Sequence, residues 1–193
     1  MKNDRVKKIT GIAILLAIEI ILQTVAFLTS GIFLVSFNLA LIPIVVAAIV
    51  YGPWAGAFLG LFNGVIVLLD PSTELFLGYA PFGTVITCLL KCTIAGLVAG
   101  LVFKMIAKKN KTIGAIVASV LVPIINTGLF ALACFTIIGS VVDALNDGQR
   151  SMEFVFLALI GWNFVFEFGI TAALSPTIVK IMKVMTRSDK NAL

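Results

Sequence analysis

Lys91 lies about ten positions into a long apolar run, and in another such run Asn163 and Glu167 stand one helical turn apart and so face the same way. An unpaired ammonium at that depth in hydrocarbon costs several kcal/mol, so Lys91 requires a partner. Two arrangements supply one. Lys91 and Glu167 pair and lock the bundle, or both line a polar pocket in which the lysine or the carboxylate meets a ligand. Asn126 belongs to the stretch Pro123-Ile124-Ile125-Asn126-Thr127-Gly128, where proline removes a backbone donor and the helix is expected to kink. At 1.5 Å per residue, Lys91, Asn126, Asn163 and Glu167 fall at depths of about 15–25 Å, close enough in height to surround one cavity. Asn63 and Glu19 are further polar residues inside apolar runs, and Tyr79 and Phe82 stand where aromatics cap a pocket or anchor a helix at the interface.

Other chemistries are excluded by what the chain lacks. It contains no histidine, which removes the commonest general base and the commonest transition-metal ligand. Cys88, Cys92 and Cys134 all sit in apolar runs with neither metal-ligand nor disulfide spacing and read as small hydrophobes. No metal site and no catalytic residue is expected, and the chain does not read as an enzyme. There is no G-x-x-x-x-G-K-[ST] loop, no arginine-rich helix and no acidic ring, which argues against nucleotide hydrolysis, voltage sensing and a cation pore.

The elements that must position these residues are membrane helices. Of 193 residues, 61% are hydrophobic and 12% charged, and the mean hydropathy is +1.17, beyond the range of soluble domains. The chain reads as a single all-α integral membrane domain with six transmembrane helices, at 9–30, 38–51, 53–69, 81–106, 113–140 and 151–185. The second and third meet at Gly52-Pro53, and they are either two spans joined by a tight turn or one re-entrant hairpin. The net charge of +5 reads as topology, with no nucleic acid as partner. Lys2, Arg5, Lys7 and Lys8, then Lys104, Lys108, Lys109 and Lys111, then Lys180, Lys183, Arg187 and Lys190 form three basic clusters that six helices place on one side. Both termini are therefore expected in the cytoplasm. Asp70, Glu74, Asp143, Asp147 and Glu153 fall to the opposite face, leaving the two longer connections there as candidate lids.

Gly52, Gly56, Gly60 and Gly64 recur every four residues, and Gly96 and Gly100 repeat the spacing, as in helices whose backbones approach closely in lipid. Ala13 and Ala17 form an A-x-x-x-A pair on the first helix, suited to a tight crossing. Tyr51 and Trp54 flank the Gly52-Pro53 turn as interface anchors.

With basic inner loops, the Ala13/Ala17 pair, and the stretch from Leu41-Ile42-Pro43 through Tyr51-Gly52-Pro53-Trp54-Ala55-Gly56-Ala57 to Gly60, the chain resembles the substrate-binding S components of energy-coupling factor vitamin transporters. The likeness covers nearly the whole chain. It implies a subunit in the cell membrane of a prokaryote that captures a water-soluble vitamin or precursor from outside. A transmembrane T component and two cytoplasmic ATPases would energise delivery, so ATP is used by partners and this chain carries no cofactor. The resemblance also gives Ala13 and Ala17 a docking role on the T component, and implies a toppling of the whole subunit that carries its pocket inward. It places the substrate site in the outer half, where Lys91, Asn126, Asn163 and Glu167 lie together with loop residues between Asp70 and Tyr79, with Tyr79 and Asn63 as further contacts. A pocket lysine suits a carboxylate-bearing vitamin of the pantothenate type, while folate, riboflavin and a hydroxymethylpyrimidine stay open. The alternatives are a self-sufficient small secondary transporter or channel, in which Lys91 and Glu167 form a coupling relay, and a membrane enzyme or assembly protein.

Overall fold

Leu41–Val50 is apolar on every side, and a helix with no polar face belongs inside a bundle rather than at its surface. In the computed structural model, which describes residues 2–27 and 38–190, this short helix is buried along nearly its whole length and forms the axis around which the rest is packed. The elements in chain order are α1 (Lys2–Phe27), α2 (Leu41–Val50), α3 (Pro53–Val67), α4 (Pro71–Tyr79), α5 (Pro81–Ile106), α6 (Lys111–Phe135), α7 (Gly139–Leu145) and α8 (Met152–Phe154). A π-helical stretch, Val155–Gly161, then leads directly into α9 (Trp162–Lys190).

Among the described residues, four helices are long and apolar enough to cross a membrane: Arg5–Phe27, Pro81–Ile106, Lys111–Phe135 and Met152–Val184. The bent pair α3 and α4, at 81° to each other, raises the number to five when it is taken as one span. Several expected boundaries change. The first helix begins at Lys2 rather than 9 and is described to Phe27, positions 28–30 lying outside the described residues. The second has only ten residues, about half a bilayer at 1.5 Å per residue. The helix expected over 113–140 ends at Phe135, because Thr136 leaves helical geometry, and the chain turns into the separate α7.

The connection after Asp70, expected as a loop, is helix α4. Asp70 caps it, its carboxylate accepting from Ser72 N at 2.8 Å and Ser72 Oγ at 2.8 Å, and Pro71 occupies the first helical turn with Glu74. Thr73 Oγ1 donates to Val67 O at 2.8 Å and Thr84 Oγ1 to Phe76 O at 3.0 Å, so α4 is tied to the helices before and after it.

The glycine stripe packs α3 antiparallel against α5. A β-carbon on Gly64 would sit 2.5 Å from Cys88 O, one on Gly60 would collide with Cys92 O, and one on Gly56 would sit 2.7 Å from Gly96 O. Gly100 likewise abuts Pro53. Gly52 stands apart from this stripe: it has φ +101° with open space around it and makes the α2–α3 turn. Gly11 meets Tyr51 at that turn, so the basic start of α1, the α2–α3 turn and the lysine-rich α5–α6 connection gather at one end of the bundle.

Candidate functional site

The apolar interior divides in two. One cluster surrounds α2 at the lysine-rich end, and a second joins Phe76, Ala131, Cys134, Val141, Val142, Val155 and Leu159 at the other. A polar layer lies beside the first. The backbone N–H of Asn38 donates to Glu167 Oε1 at 2.8 Å, and Asn63 Nδ2 donates to Asn38 Oδ1 at 3.1 Å. The Cys92 thiol donates to Asn126 Oδ1 at 3.1 Å and accepts from Asn63 Nδ2 at 3.1 Å and Asn38 Nδ2 at 3.4 Å. Five positions from five parts of the chain thus hold one another in a buried layer.

Above this layer opens a cavity whose empty volume of ≈ 690 Å³ includes the part open to solvent. Helical periodicity delivers its walls. Thr84, Thr87, Cys88 and Lys91 come from one face of α5, Asn126, Thr127 and Phe130 from α6, and Asn163, Phe164 and Glu167 from α9. Ser72, Thr73 and Phe76 of α4 and Gln23 of α1 complete the polar and aromatic lining. The π-helical stretch immediately before Asn163 contributes Leu159 and Ile160; such widened turns frequently occur at functional sites.

Lys91, Asn126, Asn163 and Glu167, singled out by their depth, therefore line one cavity. The direct Lys91–Glu167 ion pair is not formed: among the described residues no carboxylate lies within salt-bridge distance of Lys91. Its Nζ stands 5.1 Å from the centroid of the Phe130 ring, a cation–π arrangement, while one oxygen of Glu167 is engaged by Asn38. Both side chains are nearly enclosed, Lys91 being 9% and Glu167 7% exposed.

The other two expected contacts do not reach the cavity. Tyr79 is exposed, and its carbonyl accepts from Ser140 Oγ at 3.5 Å. Asn63 is fully buried in the polar layer behind the wall. Gln23, Asn38, Thr84 and Thr87 escaped the sequence reading, whereas the α4 residues fall in the segment between Asp70 and Tyr79 expected at the site as a loop. The Asp70-Pro71-Ser72-Thr73-Glu74 capping pattern is the signal that locates α4.

At the same end, Arg150 donates through Nε to Asp143 Oδ1 at 3.0 Å and through Nη2 to Asp143 Oδ2, and through Nη1 to Phe135 O at 3.3 Å. This bidentate pair closes the α7–α8 connection over the end of α6. The hydrogen bonds from Arg150, with its charge, hold the Asp143 carboxyl below the ordinary range despite partial desolvation. Ala13 and Ala17, by contrast, are exposed on the face of α1 turned away from the bundle.

Several apolar spanning helices around a cavity lined by polar and apolar side chains define a multi-pass membrane protein. Residues 7–182 match the family described as ECF transporter, substrate-specific component, and the chain belongs to that family. It is thus a transporter subunit rather than an enzyme, and its family works with T and ATPase subunits on a small-molecule substrate. No curated protein and no solved structure matches the chain.

Proposed function

We propose that this subunit captures a carboxylate-bearing vitamin of the pantothenate type. The observation that carries the reading is Lys91, an enclosed cation held against the Phe130 ring with no carboxylate at contact distance among the described residues. A desolvated ammonium gains most from an anionic ligand group that enters the cavity with it. Glu167 and Asn126 on neighbouring walls suit the hydroxyl and amide groups of the same ligand, and Phe76, Phe130 and Phe164 suit its apolar portions.

The working unit of this reading is a six-span subunit with both termini cytoplasmic, in the plasma membrane of a prokaryote. The gathering of basic residues at one bundle end supports that orientation. The exposed Ala13 and Ala17 dock on the T component, and two cytoplasmic ATPases hydrolyse the nucleotide.

The test is thermal stabilisation of the purified protein by pantothenate, folate, riboflavin and hydroxymethylpyrimidine. Ligand at 100 times its dissociation constant contributes about 2.7 kcal/mol. A selective shift with pantothenate supports the reading, and a shift with riboflavin or hydroxymethylpyrimidine alone overturns the anionic assignment. Uptake into liposomes without ATPase partners would instead favour a self-sufficient transporter.

A further inference from the structure

Helix α1 is the least enclosed of the long helices, yet it sends one polar side chain into the cavity. Gln23 is 0% exposed, it lines the cavity wall, and among the described residues neither its carboxamide oxygen nor its nitrogen has a hydrogen-bond partner. A carboxamide stripped of water and left unpaired opposes folding, and a leucine of similar size would pack at that position without this cost. Retention of both a donor and an acceptor in the cavity wall is what a ligand contact requires. Glu19, one turn earlier, is equally buried and has both oxygens unpartnered among the described residues, but it does not line the cavity. Thr87, on the α5 wall one turn from Lys91, adds a buried hydroxyl with no partner among the described residues to the same lining.

We propose that Gln23 is a specificity-determining residue: with Thr87 it forms a charge-neutral subsite that reads an uncharged part of the substrate offering both donor and acceptor, a hydroxyl or an amide. This subsite is separate in chemistry from Lys91, which addresses the anionic end. The proposal rests on the substrate-binding reading of the cavity and deepens it. The carboxamide of Gln23 pairs side by side with an amide N–H and C=O, or donates to and accepts from one hydroxyl. A substrate with a carboxylate and no such second group fills only half of the site. A site built to hydrogen-bond a particular group rejects analogues lacking it, because its own buried polar atoms then stay unpaired.

The experiment compares the wild type, Gln23→Leu, Lys91→Ala and Glu19→Gln as purified full-length proteins. Each is measured for its ligand-free melting temperature and for its affinity toward pantothenate and pantothenyl alcohol, which keeps the amide and hydroxyls but lacks the carboxylate. Gln23→Leu is expected to melt no lower than the wild type without ligand and to bind both compounds about tenfold or more weaker. Lys91→Ala is expected to lose affinity for pantothenate alone, and Glu19→Gln to bind as the wild type. Unchanged affinity in Gln23→Leu overturns the subsite while leaving the Lys91 reading intact, and a lower ligand-free melting temperature with unchanged affinity shows an ordinary structural or hydrated glutamine. If the wild type prefers riboflavin, folate or hydroxymethylpyrimidine, the pantothenate reading fails and the same comparison is run with that compound. If nothing binds, the ligand-free melt decides: a higher melting temperature in Gln23→Leu supports an amide kept unpaired for a ligand, and a lower one overturns it.

Discussion

The backbone N–H of Asn38 donates to Glu167 Oε1 at 2.8 Å, joining the entrance of the central helix α2 to the second turn of α9 across 129 positions of chain. This bond places the carboxylate at the cavity floor and keeps it from swinging toward Lys91, whose Nζ rests over the Phe130 ring instead. A lysine and a glutamate share one enclosure without direct contact between them. Each can therefore address a different part of a ligand.

Removing the carboxylate should loosen this tie. Glu167→Ala leaves the buried Asn38 N–H without its acceptor and is expected to cost about 1–3 kcal/mol, the range for an unsatisfied buried donor. A thermal melt in detergent measures it. A variant as stable as the wild type would show that the contact contributes nothing to holding α2 against α9.

Lys91→Ala should weaken a carboxylate-bearing ligand by about 2 kcal/mol or more, since the ammonium is desolvated where it meets the anion. Lys91→Arg should not restore full affinity, because a planar guanidinium replaces a compact charge beside the Phe130 ring. Titration calorimetry reads both. Equal affinity in a folded Lys91→Ala protein would move the anion site elsewhere.

How much of this was legible follows from contrast against the apolar background. Lys91, Asn126, Asn163 and Glu167 stand out because few polar side chains interrupt the spans, and helical spacing was enough to bring them to one cavity. Gln23 and Asn38 lie near helix ends, where a polar residue ordinarily faces water, so sequence gave no reason to place them inside. Threonines such as Thr84 and Thr87 occur throughout membrane helices and bond readily to nearby carbonyls, so they carry little signal. The split of 113–140 at Thr136 and the π-helical turns at Val155–Gly161 depend on tertiary packing rather than local preference. The cap at Asp70, by contrast, was readable, and it converts an expected loop into a helix that forms part of the cavity wall.

The α3–α5 contact makes a sharp comparison among glycines. Gly60→Ala drives a β-carbon into Cys92 O, a backbone atom that cannot move aside alone, and is expected to destabilise by about 1–3 kcal/mol or to prevent folding. Gly78→Ala, with nothing within 4 Å of the added carbon, should be neutral or slightly stabilising. Parallel melts of the two variants separate close packing from general intolerance of substitution.

The Asp143–Arg150 pair makes a prediction about pH. Arg150 lowers the Asp143 carboxyl in the folded protein, so the contribution of the pair is present above the ordinary carboxylate range and is lost as pH falls through the lowered value. Both side chains are about a third exposed and screened by water, so the effect should be local rather than global. A carboxyl NMR titration is expected to place Asp143 below an ordinary aspartate in the wild type and to return it toward the ordinary range in Arg150→Gln. An unchanged midpoint in the variant would mean that the pair does not form in solution.

Ala13 and Ala17 lie one turn apart on the outer face of α1, with no part of the described bundle covering them. Neighbouring Ile14, Ile18 and Ile21 are exposed as well, so the small residues leave a shallow notch in an apolar surface against which another helix can cross closely. Bulky residues there should leave the fold and the cavity untouched, because they project away from both. Ala13→Trp with Ala17→Trp is therefore expected to retain wild-type ligand affinity in purified protein while abolishing ATP-dependent uptake with the T component and ATPases. Loss of affinity would assign the alanines to packing within this chain, and normal uptake would place the docking surface on another face of the bundle.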